Sequence, residues 1–138
     1  MPLPPPASLG ISLDEVDTPA LVVDLDALEA NIARMAKAVE GGAVRLRPHA
    51  KSHKCAEIAR RQIAAGAVGV CCQKVSEAEA LVVGGVADVL VTNEIVGRQK
   101  TARLARLARE AKVAVLADDG GNVADLDAAA REDRKSVV

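Results

Sequence analysis

Short apolar runs alternate along the chain with longer stretches in which apolar residues recur three or four positions apart. The runs are rich in valine and begin near residues 20, 44, 68, 89 and 113. Runs of this kind are typical of buried strands, and the wider spacing is typical of amphipathic helices. The last four runs start about 23 residues apart, which favours βα units that feed a parallel sheet.

Each predicted element is bounded by its own capping and turn signals. Strands are predicted over residues 20–24, 44–50, 68–73, 89–92 and 113–117. One helix is predicted from a capping box at Asp26 and Glu29 to Gly41-Gly42, and another from a capping box at Ser76 and Glu79 to Gly84-Gly85. Further helices are predicted over 55–65, over 98–110 and after a cap at Asn122. Residues 1–17 are rich in proline and lack periodicity, which predicts an extended N-terminal lead.

The number of predicted units indicates the fold class. A complete (βα)8 barrel uses roughly 31 residues per unit, and the residues after position 18 supply only about four to five units. We therefore expect an α/β chain that forms part of a (βα)8 TIM barrel. A doubly wound sheet of flavodoxin type fits the same length, although the chain has neither G-x-G-x-x-G nor a P-loop. A small, complete α/β binding domain with a basic edge is a third possibility.

Composition and charge narrow the classes of function. The chain is 50% hydrophobic and 27% charged, as is typical of globular proteins. With a net charge of -1 and no Phe, Tyr or Trp, it lacks the basic field and the stacking side chains that favour nucleic-acid binding. It also lacks a long apolar run and a basic secretory start, so we expect a cytoplasmic location without membrane contact.

The cysteines and the missing aromatics give two further expectations. Cys55, Cys71 and Cys72 are an odd number of thiols, and we expect all three to be reduced. Cys71 and Cys72 lie in an apolar run and are expected to be core residues. The lack of aromatics indicates either a wholly aliphatic core or a longer protein of which this chain is a part, and we favour the second.

The segment at residues 45–54 is the strongest candidate for chemistry. Strand alternation would place Arg45, Arg47, His49 and Lys51 on one face. Such a cationic face favours the binding of phosphate or carboxylate, or a lysine whose pKa is lowered so that its neutral amine can act as a nucleophile. Lys51 would lie at the carboxyl end of the strand, where α/β folds place their sites. A solvated basic edge explains the same spacing.

Four separated motifs resemble one family of enzymes. The motifs are R-P-H-A-K-S-H-K at 47–54, D-T-P-A-L-V-V-D-L-D-A-L-E-A-N-I at 17–32, V-G-V-C-C-Q-K-V-S-E-A-E-A at 68–80 and D-V-L-V-T-N-E at 88–94. Together they are similar to the D-threonine aldolase and D-serine dehydratase-like family of fold-type III pyridoxal-phosphate enzymes. The third motif most resembles the 3-hydroxy-D-aspartate aldolase branch.

The resemblance implies a barrel of alanine-racemase N-terminal type and a set of site residues. Lys51 would hold pyridoxal 5'-phosphate as a Schiff base and act as a catalytic base. Arg47 and His49 would keep the Lys51 amine neutral between turnovers and attract anionic groups, and Gln73 and Asn93 would offer hydrogen bonds. The implied reaction is cleavage of a small D-β-hydroxy amino acid. A D-serine or D-hydroxyaspartate dehydratase and a noncatalytic pyridoxal-phosphate carrier are the alternatives.

No metal site is expected within this chain. The spacing of His49, His53 and Cys55 lacks the glutamate of H-E-x-x-H and spans a strand-to-helix break, which is poor ligand geometry. In the family, the ligands of a divalent metal lie near the far C-terminus, and no matching segment occurs here. The resemblance also implies a homodimer for the full-length enzyme.

The last six residues differ from the rest of the chain. The sequence D-R-K-S-V-V at 133–138 has no apolar periodicity, and it can be encoded by GATCGGAAGAGCGTCGTG, which resembles a common sequencing-adapter sequence. We therefore expect residues 18–132 to be the N-terminal part of a pyridoxal-phosphate-binding barrel and 133–138 to be a non-native tail. Such a fragment is expected to be inactive alone.

Overall fold

Three parallel strands form the sheet, and helices connect them along the chain. The computed structural model describes residues 5–135. Its elements are a 3-10 helix at Leu13–Glu15, α1 at Leu25–Val39, α2 at Ala56–Ala64, β1 at Val70–Cys72, α3 at Val75–Val83, β2 at Asp88–Glu94, α4 at Arg98–Leu107, β3 at Lys112–Leu116 and α5 at Gly120–Lys135.

The order of the strands identifies the type of α/β fold. In the described part of the chain the order is β1-β2-β3, with Val70 opposite Val89 and Val89 opposite Val113. Sheet order therefore follows chain order without a reversal. A doubly wound sheet contains such a reversal, whereas a βα barrel does not. The barrel-type expectation is confirmed, and the described strands do not show the reversal that the flavodoxin-type alternative contains.

The core lies between the sheet and the helices and consists of aliphatic and small side chains. All three residues of β1 are buried, whereas β2 buries Val89 and Val91 and leaves alternate positions half-buried. A strand covered on both faces is expected to be apolar throughout, which explains the run from Val70 to Cys72. The core is completed by Ala50, Ala59, Val75, Ala78, Leu81, Val86, Ile95, Leu104 and Leu107.

Two predicted strands do not form regular sheet pairing. Over residues 44–50 there is one isolated parallel bridge, between His49 and Cys71. Pro48 lies next to this bridge and has no N–H, so it cannot donate the next hydrogen bond of a ladder. Residues 20–24 belong to no described strand, and their side chains are exposed, Leu21 by 81%. Both strand predictions are therefore wrong in detail.

Three predicted helix caps are displaced. Asp24, not Asp26, caps α1, because its carboxylate accepts the N–H of Ala27 at 2.9 Å directly after the extended segment. Helix α3 is capped at Lys74, two residues before the predicted cap at Ser76. Asp119 accepts the N–H of Asn122 at 2.9 Å, so Asn122 lies inside α5 rather than at its cap.

The two ends of the described chain contain structure that the sequence analysis did not predict. The predicted lead contains the 3-10 helix, where Ser12 and Glu15 form a capping box. Helix α5 continues to Lys135 and crosses the predicted boundary at 132, and the Asp133 carboxylate accepts the Arg109 Nε–H at 2.5 Å. Residues 1–4 and 136–138 lie outside the described residues, and the latter are the last three residues of the predicted tail.

Candidate functional site

Most of the predicted site residues lie at the carboxyl edge of the sheet. Lys51 lies in the turn that follows the His49–Cys71 bridge, Gln73 directly follows β1, and Asn93 lies near the end of β2. Carboxyl ends of parallel strands share one edge, and α/β folds place their ligand sites there. The exception among the predicted residues is Arg47.

The imidazole of His49 is held by hydrogen bonds at both ring nitrogens. Its Nε2 lies 2.9 Å from the Thr92 hydroxyl, and its Nδ1 accepts the backbone N–H of Lys51 at 3.2 Å. Burial, together with the nearby Lys51 ammonium, lowers the pKa of His49 below its usual value, against a weaker opposite effect of Glu77. His49 is therefore neutral at pH 7.

Thr92 is a member of this site that sequence reasoning missed. Its hydroxyl donates to the carbonyl oxygen of Cys72 at 3.1 Å, so it links β2 to β1 as well as to His49. The only sequence signal is its position, because it is the first polar residue after the apolar stretch of β2. Strand-end polar residues at a parallel sheet edge are candidates for site roles.

Arg47 lies at the opposite end of the sheet from Lys51. Its Nη1 donates to the carboxylate of Asp88 at 2.8 Å, and Asp88 is the first residue of β2. Thr92, which contacts His49, lies four residues further along β2, or about 13 Å at the usual rise per residue. The hydrogen bond from Arg47 holds the pKa of Asp88 below its usual value despite burial, with a further contribution from Lys112.

The predicted cationic face is therefore wrong as an electrostatic unit. The charge of Arg47 is balanced by Asp88, and His49 is neutral. Alternation along a strand predicted that these residues share one face. It did not give the partner of Arg47, because Asp88 is 41 positions away in sequence.

The two lysines of the motif have different surroundings. Lys54 precedes α2 rather than lying within it, and its ammonium is 3.6 Å from the carboxylate of Glu77. Glu77 also accepts the backbone N–H of Gln73 at 2.8 Å. Burial acts to raise the pKa of Glu77, but these interactions hold it below its usual value. Lys51 is exposed, and within residues 5–135 its ammonium has no hydrogen-bond or ion-pair partner.

This donor set fits pyridoxal phosphate. The cofactor needs a lysine amine that no carboxylate has already engaged, and Lys51 meets that requirement whereas Lys54 does not. A neutral imidazole and the amide side chains of Gln73 and Asn93 lie at the same edge and can form hydrogen bonds with a polar ring and its substituents.

The other side chains near this edge that could take part in chemistry are hydrogen-bonded or buried within the fold. His53 accepts the N–H of Cys55 with its Nδ1 at 3.1 Å, and burial lowers the pKa of His53. Within the described residues no set of three or more His, Cys, Asp or Glu side chains is arranged to hold a metal ion. Cys71 and Cys72 are buried free thiols, and burial raises the pKa of Cys72 to about 12.

The length and apolar character of the helices bear on whether they could cross a membrane. None of the helices in the described part of the chain combines the length and the apolar character needed to cross a bilayer.

Comparisons with known proteins agree with the fold and the motifs. The family described as "Alanine racemase, N-terminal domain" matches residues 23–138. The chain is 52% identical over 124 residues to D-threonine aldolase of Arthrobacter sp, which covers 90% of this chain and 33% of that protein. It is 50% identical over 129 residues to 3-hydroxy-D-aspartate aldolase of Paracoccus denitrificans, covering 92% and 33%.

A dehydratase and a solved structure are also similar. The chain is 45% identical over 75 residues to D-threo-3-hydroxyaspartate dehydratase of Delftia sp. (strain HT23), covering 54% of this chain and 20% of that protein. The crystal structure of D-threonine aldolase from Filomicrobium marinum superimposes with a TM-score of 0.90 and 55% identity, over 96% of this chain and 36% of that one. The chain thus spans about a third of the length of the two aldolases it matches by sequence.

The order of the parallel strands, the motif around Lys51 and these matches agree over nearly the whole chain. The chain belongs to the alanine racemase N-terminal domain family.

Proposed function

We propose that the chain is the cofactor-binding part of a pyridoxal-phosphate-dependent lyase that cleaves small D-β-hydroxy amino acids. The observation that carries the proposal is the difference between the surroundings of the Lys51 and Lys54 amines. Lys51 presents an unengaged amine at the carboxyl edge of the sheet, whereas Lys54 faces the carboxylate of Glu77. Lys51 is therefore the residue that binds the cofactor covalently.

Each residue at this edge has a separate role in the proposal. When bound, pyridoxal phosphate supplies an electron sink for negative charge at the α-carbon of an amino acid. Lys51 Nζ holds the cofactor and moves a proton at that carbon. His49 fixes the Lys51 backbone, and Gln73 and Asn93 offer hydrogen bonds. Arg47 stabilises the other end of the sheet and does not contact the cofactor.

The substrate class follows from the relatives and is part of the proposal. Two of them are named as aldolases and one as a dehydratase of D-threo-3-hydroxyaspartate. We favour an aldolase because the identity to the aldolases extends over more of the chain. Contacts that choose the substrate, a divalent metal and a homodimer interface belong, in this proposal, to segments of the longer enzyme beyond the matched third.

Reductive trapping tests the cofactor lysine. The chain is incubated with pyridoxal phosphate and reduced with borohydride, and the labelled peptide is mapped by mass spectrometry. We expect label on Lys51, loss of that label in Lys51→Ala, and its retention in the matched control Lys54→Ala. Label on Lys54, or no labelled lysine in the motif, contradicts the proposal.

The products of the longer enzyme distinguish the proposed aldolase from a dehydratase and from a noncatalytic carrier. An aldolase converts a β-hydroxy amino acid into glycine and a carbonyl compound, whereas a dehydratase releases ammonia and a 2-oxo acid. We expect glycine from D-threonine or 3-hydroxy-D-aspartate. Ammonia would indicate the dehydratase, and neither product from a labelled protein would indicate a noncatalytic carrier.

A further inference from the structure

Thr92 lies at an irregular point in the pairing of β2 with β3. Strands β2 and β3 pair in register up to Val91 and Val115, and pairing resumes with Glu94 opposite Leu116. Thr92 and Asn93 fall within this irregularity. Irregularities of this kind re-aim side chains and are common beside functional sites. Here the Thr92 hydroxyl contacts the Cys72 carbonyl in β1 and the His49 imidazole in the segment at residues 44–50.

The hydrogen bonds around Thr92 determine where the protons are. A threonine hydroxyl has a single proton, and Thr92 donates it to the carbonyl of Cys72. The Thr92 oxygen must then accept the contact from His49, which requires a proton on His49 Nε2. In a neutral imidazole the other nitrogen, Nδ1, is then an acceptor.

The second hydrogen bond of His49 agrees with this assignment. His49 Nδ1 faces the backbone N–H of Lys51 at 3.2 Å, and that group can only donate. A doubly protonated imidazole would place two donors against each other at this contact. The three hydrogen bonds from Cys72 through Thr92 and His49 to Lys51 are therefore compatible with one tautomer, the neutral Nε2–H form.

We propose that Thr92 is a positioning residue for Lys51 and acts by fixing the tautomer of His49. This inference rests on the proposed function only in its consequence, which is the presentation of the Lys51 amine to the cofactor. Lys51 lies where the chain leaves the sheet, and the described hydrogen bonds give its backbone N–H a single acceptor, His49 Nδ1. Without the Thr92 oxygen, His49 loses the acceptor that selects Nε2–H, and the Lys51 backbone loses its anchor.

Nitrogen NMR of the imidazole tests the first step without cofactor. The full chain is labelled with 15N-histidine, and the tautomer of His49 is read from the shifts of its two ring nitrogens. We expect the Nε2–H form in the parent and in Thr92→Ser, which keeps the hydroxyl. In Thr92→Val, which keeps the shape without the hydroxyl, we expect a mixture of tautomers. An unchanged tautomer in Thr92→Val overturns the proposal.

Amide hydrogen exchange tests the second step. We expect the Lys51 amide to exchange at least tenfold faster in Thr92→Val than in the parent, and at the parent rate in Thr92→Ser. A Lys51 amide that exchanges at the parent rate in Thr92→Val overturns the link from Thr92 to Lys51. The control is Thr101→Val, because the Thr101 hydroxyl also donates to a backbone carbonyl, that of Arg98, but does so within α4. This control should change neither readout.

Reductive trapping then tests the consequence for the cofactor. We expect the rate of labelling at Lys51 to fall about tenfold in Thr92→Val and to recover in Thr92→Ser. A normal rate with an altered tautomer overturns the positioning role. No label at Lys51 in the parent means that the proposed function fails, and the two NMR readouts still decide the link between Thr92 and His49. If Thr92→Val does not fold, Thr92→Ala carries the same three measurements.

Discussion

The guanidinium of Arg47 and the carboxylate of Asp88 form a hydrogen-bonded ion pair of 2.8 Å across the amino ends of the sheet. Lys112, the first residue of β3, lies 3.1 Å from the other oxygen of the same carboxylate. Asp88 thus joins the segment at residues 44–50 to the start of β3. Arg47, the first residue of the 47–54 motif, is thus engaged by the amino end of the sheet.

Removal of Arg47 should therefore weaken the fold and spare the site. In Arg47→Ala we expect the free energy of unfolding to fall by about 1–3 kcal/mol, because a half-buried charged hydrogen bond is lost and Asp88 keeps only Lys112. Chemical denaturation measures this change.

Arg45→Ala is the matched control for that experiment. Arg45 is exposed and has no ion-pair partner among residues 5–135, so its removal should change the unfolding free energy by less than about 0.5 kcal/mol. Labelling of Lys51 by pyridoxal phosphate should be the same in both variants. Loss of labelling in Arg47→Ala at full folding would show that Arg47 acts on the cofactor after all.

Gly69 is the position where the same ion pair leaves no room for a side chain. Its φ is +151°, and an added Cβ would lie 2.5 Å from both the carbonyl oxygen of Asp88 and Arg47 Nη1. We expect Gly69→Ala to lower the free energy of unfolding by about 2–4 kcal/mol, since backbone and ion pair must both move. Thermal or denaturant unfolding measures it.

Gly120→Ala provides the comparison for Gly69. An added Cβ at Gly120, the first residue of α5, meets no atom within 4 Å, so the change should lie within about 1 kcal/mol of zero. Equal effects of the two substitutions would contradict the close packing of Gly69 against Asp88.

The alternation of strands and helices was predictable because each depends on local pattern. Strands β1, β2 and β3 coincide with valine-rich runs, and Gly41, at φ +70°, and Gly84 follow the ends of α1 and α3 as expected. Caps were less predictable, because Asp24 and Asp26 have the same chemistry and only the actual first turn decides between them. Pro48 was visible in the sequence, and its missing N–H explains the lost strand.

The site was predictable as far as one motif and the strand ends extend. Lys51, Gln73 and Asn93 were placed correctly at the carboxyl edge because parallel strands share their direction. The roles of Arg47 and Thr92 depend on partners 41 and 43 positions away in sequence, at Asp88 and His49. No pattern within one element contains that information.

Both histidines should titrate below the usual pKa of 6.5. Burial lowers the pKa of His49, with help from the Lys51 ammonium, and burial also lowers the pKa of His53 against its hydrogen bonds. Below pH 6.5 the unfolded chain therefore binds more protons than the folded chain. We expect the free energy of unfolding to be constant just above pH 6.5 and to fall as the pH drops through the folded pKa values.

Proton NMR of the imidazole rings measures these pKa values directly. The chain has two histidines, so His53→Asn leaves one ring signal and assigns it to His49. A pKa of His49 at or above 6.5 would show that burial and the Lys51 ammonium do not keep the ring neutral.

The buried thiols should make the fold sensitive to alkali. Burial raises the pKa of Cys71, against the nearby Arg47, and it raises the pKa of Cys72 from 9.0 to about 12, with Glu77 acting in the same direction. Above pH 9 the unfolded chain loses protons that the folded chain keeps. The free energy of unfolding should therefore fall as the pH rises from about 9 toward 12, by up to about 1.4 kcal/mol per pH unit for each thiol.

Cys72→Ala separates this effect from other alkaline titrations. The substitution removes one thiol and should make the decline of stability above pH 9 shallower, whatever cost its smaller side chain adds at all pH values. Alkylation provides a second measurement, because iodoacetamide at pH 8 should modify the half-buried Cys55 before Cys71 and Cys72. Rapid alkylation of Cys72 in the native chain, or an unchanged slope in Cys72→Ala, would mean that the Cys72 thiol is accessible to solvent and ionises as it does in the unfolded chain.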